Sequence, residues 1–139
     1  KHLINSLYQV INNNEKKRSK ILHIEDDFDI ANFVNILLKD LCDITLVTSK
    51  KEAIKKLQKR DIDYDLILLD MMLPDGSAED IIPHLKENYI NIPIVLFSAQ
   101  EVNNQLKEQV KKALVKSRTS NLLLIETIKE ILNKKDERL

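Results

Sequence analysis

Four points in this 139-residue chain join an apolar run to a polar side chain of a chemically useful type. Ile21-Leu22-His23-Ile24 runs into Glu25-Asp26-Asp27, and Leu66–Leu69 runs into Asp70. Ile92–Phe97 runs into Ser98, and Ala113-Leu114-Val115 into Lys116. Short apolar runs of this kind read as buried strands. In an open parallel sheet the carboxyl ends of the strands share one edge, and ligands bind in the crevice there. Glu25, Asp26 and Asp70 are therefore expected to converge, together with the Ser98 hydroxyl and the Lys116 ammonium. Clustered carboxylates repel and raise one another's pKa unless a cation sits among them. Mg2+ suits such a place, since it takes one or two carboxylates, keeps several waters and accepts a phosphate oxygen. An Asp carboxylate can attack phosphorus and form an aspartyl phosphate. Phosphoryl transfer asks mainly for positioning and charge neutralisation. Asp70 as nucleophile, Lys116 neutralising the transferring oxygens and Ser98 donating a hydrogen bond make a sufficient set for that reaction.

The elements that must carry these residues alternate along the chain. Ile30, Phe33, Val34, Leu37, Leu38 and Leu41 recur at spacings of three and four, one face of a helix. Asp29 is its expected N-cap. Ile44–Val47 reads as the second strand. Ser49 and Glu52 have capping-box spacing and open a helix through about Lys59. Pro74-Asp75-Gly76 is turn chemistry. Ser77 caps the next helix, with Ile81, Ile82 and Leu85 inward and Pro83 expected to bend it. Val102, Leu106 and Val110 mark a weaker helix. Thr119 or Ser120 begins the last one, whose apolar face includes Leu124, Ile128, Ile131 and Leu132. Five strand–helix units in sequence predict an α/β fold of one domain, a doubly wound parallel sheet of five strands with helices on both faces.

Composition narrows the function classes. Lys plus Arg is 22 and Asp plus Glu is 22, a balance that argues against non-specific nucleic-acid binding over the whole surface. The single cysteine, Cys42, cannot form an internal disulfide, which favours a reducing, cytoplasmic setting. The apolar runs are too short to span a bilayer, and the first ten residues lack a signal-peptide layout. The chain starts at Lys1 and reads as a piece of a longer protein. Residues 1–19 look separate from a domain over residues 20–133, and 134–139 read as a short C-terminal tail. Leu3, Ile4, Leu7, Val10 and Ile11 have helical spacing ahead of Asn12-Asn13-Asn14. This segment reads as a linker or connector helix from an upstream module, through which a homodimer could form. His23 is expected to be structural, His84 exposed and the Cys42 thiol inert. The lysines of 50–59 and Arg60 read as a solvated basic face.

Ile21-Leu22-His23-Ile24-Glu25-Asp26-Asp27, Leu69-Asp70-Met71-Met72-Leu73-Pro74-Asp75-Gly76, Pro93–Ala99 and Leu114-Val115-Lys116 resemble, in order, the motifs of the receiver domain of two-component response regulators. The resemblance covers residues 20 to about 133. It implies a flavodoxin-like strand order 2-1-3-4-5 with five flanking helices. It also implies that Asp70 accepts a phosphoryl group from the phosphohistidine of a histidine kinase or phosphotransfer domain. Glu25, Asp26, Asp70 and the backbone carbonyl of Met72 would hold Mg2+, with Mn2+ as a substitute and Asp26 the more direct acid ligand. Ser98 would take the place of the family's switch hydroxyl and Lys116 that of its lysine. Phe28, Ala31, Asn32 and Asn35 are the implied partner contacts. The resemblance implies self-catalysed phosphorylation and dephosphorylation rather than conventional turnover.

Three positions depart from the family pattern. Ser117 follows the lysine where Pro is usual, so the loop there is expected to differ in shape. Ala113 stands at the switch aromatic, and Ala78 where glycine is common. The run from Ala113 to Asn121 is more similar to receivers at the C-terminus of hybrid sensor histidine kinases. A receiver-like interaction module that is never phosphorylated is the alternative. A haloacid dehalogenase-type hydrolase ranks lower, since position 72 is Met and Asp70 follows the third strand.

Overall fold

Leu66–Leu69 is apolar at every position, and a strand of that kind must be covered on both faces. In the computed structural model, which describes residues 18–59, 62–88 and 90–137, this segment is the middle strand of the sheet. The strands are β1 (Ser19–Ile24), β2 (Cys42–Val47), β3 (Leu66–Leu69), β6 (Ile94–Ser98) and β7 (Lys112–Val115). All pair in parallel, in the order β2-β1-β3-β6-β7. This is the expected 2-1-3-4-5 order, because β6 and β7 are the fourth and fifth strands of the sheet. Two short strands, β4 (Met72–Leu73) and β5 (Gly76–Ser77), form a separate antiparallel hairpin where the sequence suggested only a turn.

Side chains of β3 alternate between two cores, as strand geometry requires. Leu66 and Leu68 join Val34 and Leu38 of α1 (Phe28–Leu38) and Leu124, Ile128, Ile131 and Leu132 of α5 (Asn121–Glu137). Ile67 and Leu69 face the other way, toward α2 (Lys50–Lys59), α3 (Ala78–Glu87) and α4 (Asn104–Lys107). The sheet is thus wound on both faces, and the carboxyl ends of its strands are left to the loops.

The helix starts show what side chains do for the loops. Asp27, not Asp29, caps α1, accepting from the backbone N–H groups of Asp29 at 2.9 Å and Ile30 at 3.3 Å. Ser77 caps α3 and receives the reciprocal Asp80 contact, a full capping box. At α2 the Ser49 hydroxyl accepts from Glu52 N–H at 3.1 Å, but Glu52 reaches back to Thr48 N–H rather than to Ser49. Asp75 supplies what that box lacks: its carboxylate accepts from Lys50 N–H at 2.7 Å and Lys51 N–H at 3.0 Å, tying the hairpin to α2. Those two backbone donors hold the Asp75 carboxyl below its usual pKa. A Cβ at Gly76 would lie 2.8 Å from Asp80 Oδ2 and displace the side chain that completes the α3 cap.

Other expectations need correction. Phe33 and Leu41 point outward, because the buried stripe of α1 is the narrower one of Ala31, Val34 and Leu38. His84 is half-buried rather than exposed. The weak helix shrinks to four residues, Asn104–Lys107, with Asn103 as its cap. The last helix runs on to Glu137, into the expected tail. Strands β1 and β2 each start two residues earlier than expected, at Ser19 and Cys42. Arg18 stands at the entry to β1, where its guanidinium donates to the carbonyls of Lys39 and Cys42 and pairs with Asp43 at 2.9 Å. A cation there complements the C-terminal end of α1. The expected connector helix falls on residues 1–17, outside the described residues.

Candidate functional site

Glu25 follows β1 and Asp70 follows β3, and these two strands are neighbours in register. Asp70 N–H donates to the Ile24 carbonyl at 2.9 Å and Glu25 N–H to the Val47 carbonyl at 3.0 Å, so both acids are fixed by backbone bonds that extend the sheet. Asp26 lies one residue on. One carboxylate oxygen from each of Glu25, Asp26 and Asp70 falls within 4.8 Å of the others. Glu25 is 1% exposed and Asp70 8%, whereas Asp26 faces solvent. Three consecutive acids thus have three fates: burial for Glu25, the rim for Asp26 and a helix cap for Asp27.

Lys116, at the end of β7, reaches across to this cluster. Its Nζ is 2.7 Å from Glu25 Oε1 and 3.4 Å from Asp70 Oδ1. The short approach makes the Lys116 ammonium the charge partner of the buried Glu25 Oε1. The Phe97 ring lies 5.9 Å from the same ammonium and supports it from below, a partner that the strand's apolar pattern did not reveal. Burial pushes the Glu25 carboxyl up to about 7, helped by the Asp70 carboxylate and opposed by Lys116. Burial works against the charge of Lys116, but Glu25 and Asp70 outweigh it and its pKa rises. His23, buried in β1, is held near 4 by burial first and by Lys116 second, so it is neutral at physiological pH. This agrees with a structural role.

Ser98 ends β6 on the same edge, buried, but its hydroxyl is committed to its own loop. It donates to the Gln100 carbonyl and accepts from Gln100 N–H at 3.1 Å. Met72 begins β4, two residues beyond Asp70. After Lys116 the chain makes a 3-10 turn, Lys116–Arg118, closed by the Thr119 hydroxyl donating to the Val115 carbonyl at 2.7 Å. This is the local shape adopted with Ser117 in place of a proline. Ala113 lines a small cavity of about 40 Å³ with Leu96, Ser98 and Val102. Among the implied partner contacts, Phe28, Asn32 and Asn35 are exposed, but Ala31 is buried in the helix–sheet interface and is no contact.

With three carboxylates against one ammonium, the site carries two negative charges in excess when fully ionised. Its donors are all hard oxygens, one carboxylate from each of Glu25, Asp26 and Asp70. Both features fit a divalent cation of the Mg2+ type. A doubly wound sheet with such an acidic crevice at its carboxyl edge defines a class of α/β domains that bind their ligands at the strand ends.

Comparison with known proteins makes the class specific. Residues 21–134 match the response regulator receiver domain family, and the chain belongs to it. It is 35% identical over 82 residues to the transcriptional regulatory protein CiaR of Streptococcus pneumoniae, covering 59% of this chain and 36% of that protein. It is 37% identical over 89 residues to the cell cycle transcriptional regulator CtrA of Caulobacter vibrioides, covering 63% and 38%. The chain therefore spans little more than a third of the length of these curated relatives. The signal receiver domain of a LuxO repressor protein from Vibrio parahaemolyticus superposes with a TM-score of 0.79 at 24% identity, covering 88% of this chain and 95% of that one. A sensor protein from Polaromonas sp. JS666 gives 0.73 at 27% identity, covering 85% and 98%. This is a response regulator receiver domain of two-component signalling, a kind of domain that binds Mg2+ at an acidic site and meets kinases or phosphotransfer partners. Among the described residues, no helix is long and apolar enough to cross a membrane.

The crowding of charge has a measurable consequence. At about 5 Å two carboxylates repel by roughly 1 kcal/mol even in a water-like dielectric. Asp26→Asn is expected to stabilise the metal-free protein by about 1 kcal/mol, read as a higher urea midpoint at unchanged slope in chelator. Added Mg2+ should then stabilise the wild type more than the variant. A lower midpoint for the variant in chelator would contradict this electrostatic account.

Proposed function

We propose that Asp70 accepts a phosphoryl group from the phosphohistidine of a histidine kinase or phosphotransfer domain. The observation that carries this reading is the Lys116 ammonium set between the Glu25 and Asp70 carboxylates, in the pocket where the third acid also converges. An Asp70 carboxylate oxygen forms the new O–P bond. The N–P bond of the donor breaks, its electron pair stays on the imidazole nitrogen, and that nitrogen takes up a proton. Glu25, Asp26, Asp70 and the Met72 carbonyl would hold Mg2+ or Mn2+, which supplies positive charge to the phosphoryl oxygens when bound. Lys116 neutralises an oxygen of the product. Ser98 donates to another after releasing the Gln100 carbonyl. Hydrolysis by water returns the free Asp70 carboxylate and inorganic phosphate.

The same edge supports a protein as donor. Phe28 is 72% exposed, Met72 66% and Leu122 63%, and each lies shortly after the end of a site-bearing strand. Apolar side chains around a charged pocket suit a partner that must exclude water while its phosphoryl group passes inward. In this reading residues 20–133 are the working unit of a cytoplasmic regulator. A receiver-like module that is never phosphorylated has no use for three converging acids that repel, and the acid set argues against it.

Mixed with Mg2+ and acetyl phosphate, the protein is expected to gain one phosphoryl group by intact mass, and Asp70→Asn none. A wild type that binds Mg2+ yet gains nothing at saturating donor would overturn the reading. Phe28→Ala is expected to slow transfer from a phosphorylated histidine phosphotransfer domain by about tenfold while leaving uptake from acetyl phosphate unchanged. Equal slowing with both donors would place Phe28 in the chemistry instead of the docking.

A further inference from the structure

Two loops frame the crevice on its β6–β7 side. The first leaves Ser98 through a tight turn in which the serine hydroxyl is bonded to both the N–H and the carbonyl of Gln100. Glu101 comes next. The second leaves Lys116 through the 3-10 turn that ends at Arg118. Arg118 Nη1 lies 3.2 Å from Glu101 Oε1, so an ion pair bridges the two loops just beyond the residues that would hold the phosphoryl oxygens. Both side chains are about two-thirds exposed.

We propose that Glu101 and Arg118 are positioning residues, a clasp that holds the Ser98 turn in its self-bonded form. The inference rests on the phosphoacceptor reading of Asp70. Ser98 cannot donate to a phosphoryl oxygen while its hydroxyl donates to the Gln100 carbonyl. Freeing it means giving up that acceptor, and Glu101, the next residue, ties the turn that presents the Gln100 carbonyl to the Lys116 loop. Breaking the clasp loosens that turn and weakens the competing acceptor. Because the pair is exposed, its contribution is small, and the effect on rate is about two- to fivefold.

The direction of the effect distinguishes a clasp from simple charge steering. Acetyl phosphate is an anion. If the local potential alone mattered, Glu101→Gln would speed its reaction and Arg118→Gln would slow it. A clasp predicts that both variants speed phosphorylation by about two- to fivefold, because each removes the same link. The swapped double variant Glu101→Arg with Arg118→Glu should return to the wild-type rate, and high salt should erase the differences between all four proteins. The experiment is the rate of phosphoprotein formation from acetyl phosphate with Mg2+, followed by intact mass, with urea midpoints confirming that each variant is folded. Opposite shifts for the two single variants, no shift in either, or a swapped pair that fails to recover would each overturn the clasp. A wild type that gains no phosphoryl group would instead sink the phosphoacceptor reading on which the clasp depends.

Discussion

Glu25, Asp26 and Asp70 hold carboxylate oxygens within 4.8 Å of one another at one edge of a sheet, with Lys116 as the cation among them. Left to itself such a cluster would separate, since each pair repels by about 1 kcal/mol at that distance even in water and by more where burial lowers the dielectric. The repulsion is the reason the site suits its task. A surplus of negative charge on hard oxygens favours a divalent cation, and in the proposed function the ammonium would meet the oxygens of an incoming phosphoryl group. The Glu25 carboxyl is raised to about 7 by burial first, with the neighbouring Asp70 carboxylate adding to it.

The fold supplies the force that keeps these groups together. Backbone hydrogen bonds from Glu25 to Val47 and from Asp70 to Ile24 extend the ladder past the last apolar residue of each strand. Each strand is anchored by side chains with no exposure in the cores on both faces. The backbones of Glu25 and Asp70 cannot move apart without fraying β1 or β3, and the apolar burial behind them makes that costly. On the other side, Ser98 and Lys116 sit on loops closed by their own short-range bonds, Ser98 to Gln100 and Thr119 to Val115. In the proposed function the phosphorylated aspartate would have to draw the Ser98 hydroxyl away from its bond to Gln100.

The strands and the site acids were legible in the sequence because one pattern encodes both. A buried parallel strand must be apolar throughout, so its end is marked by the first polar residue, and that residue stands on the ligand edge. Asp70, Ser98 and Lys116 were readable for this reason. What the sequence hid were contacts decided by direction rather than by type. Asp27 and Asp29 are both good cap residues, and only the path of the chain after β1 selects Asp27. Ser98 has the right type and place, but the hydroxyl's bond to Gln100 depends on the turn that follows. Asp75 read as a turn residue because its two partners, the N–H groups of Lys50 and Lys51, lie 25 and 24 positions away. The cation–π support of Lys116 by Phe97 likewise joins distant residues. Phe33 and Leu41 kept helical spacing with the buried stripe of α1, yet a helix packed on a sheet hides a narrower face than spacing alone suggests.

The most direct measurement identifies the atom that carries the phosphoryl group. An acyl phosphate is reduced by borohydride to an alcohol, which turns a phosphorylated aspartate into homoserine. After phosphorylation with acetyl phosphate and Mg2+, reduction and peptide mapping should find homoserine at position 70 and at no other aspartate. Homoserine at position 26 or 27, or a phosphorylated protein that yields none, would contradict the account at its centre.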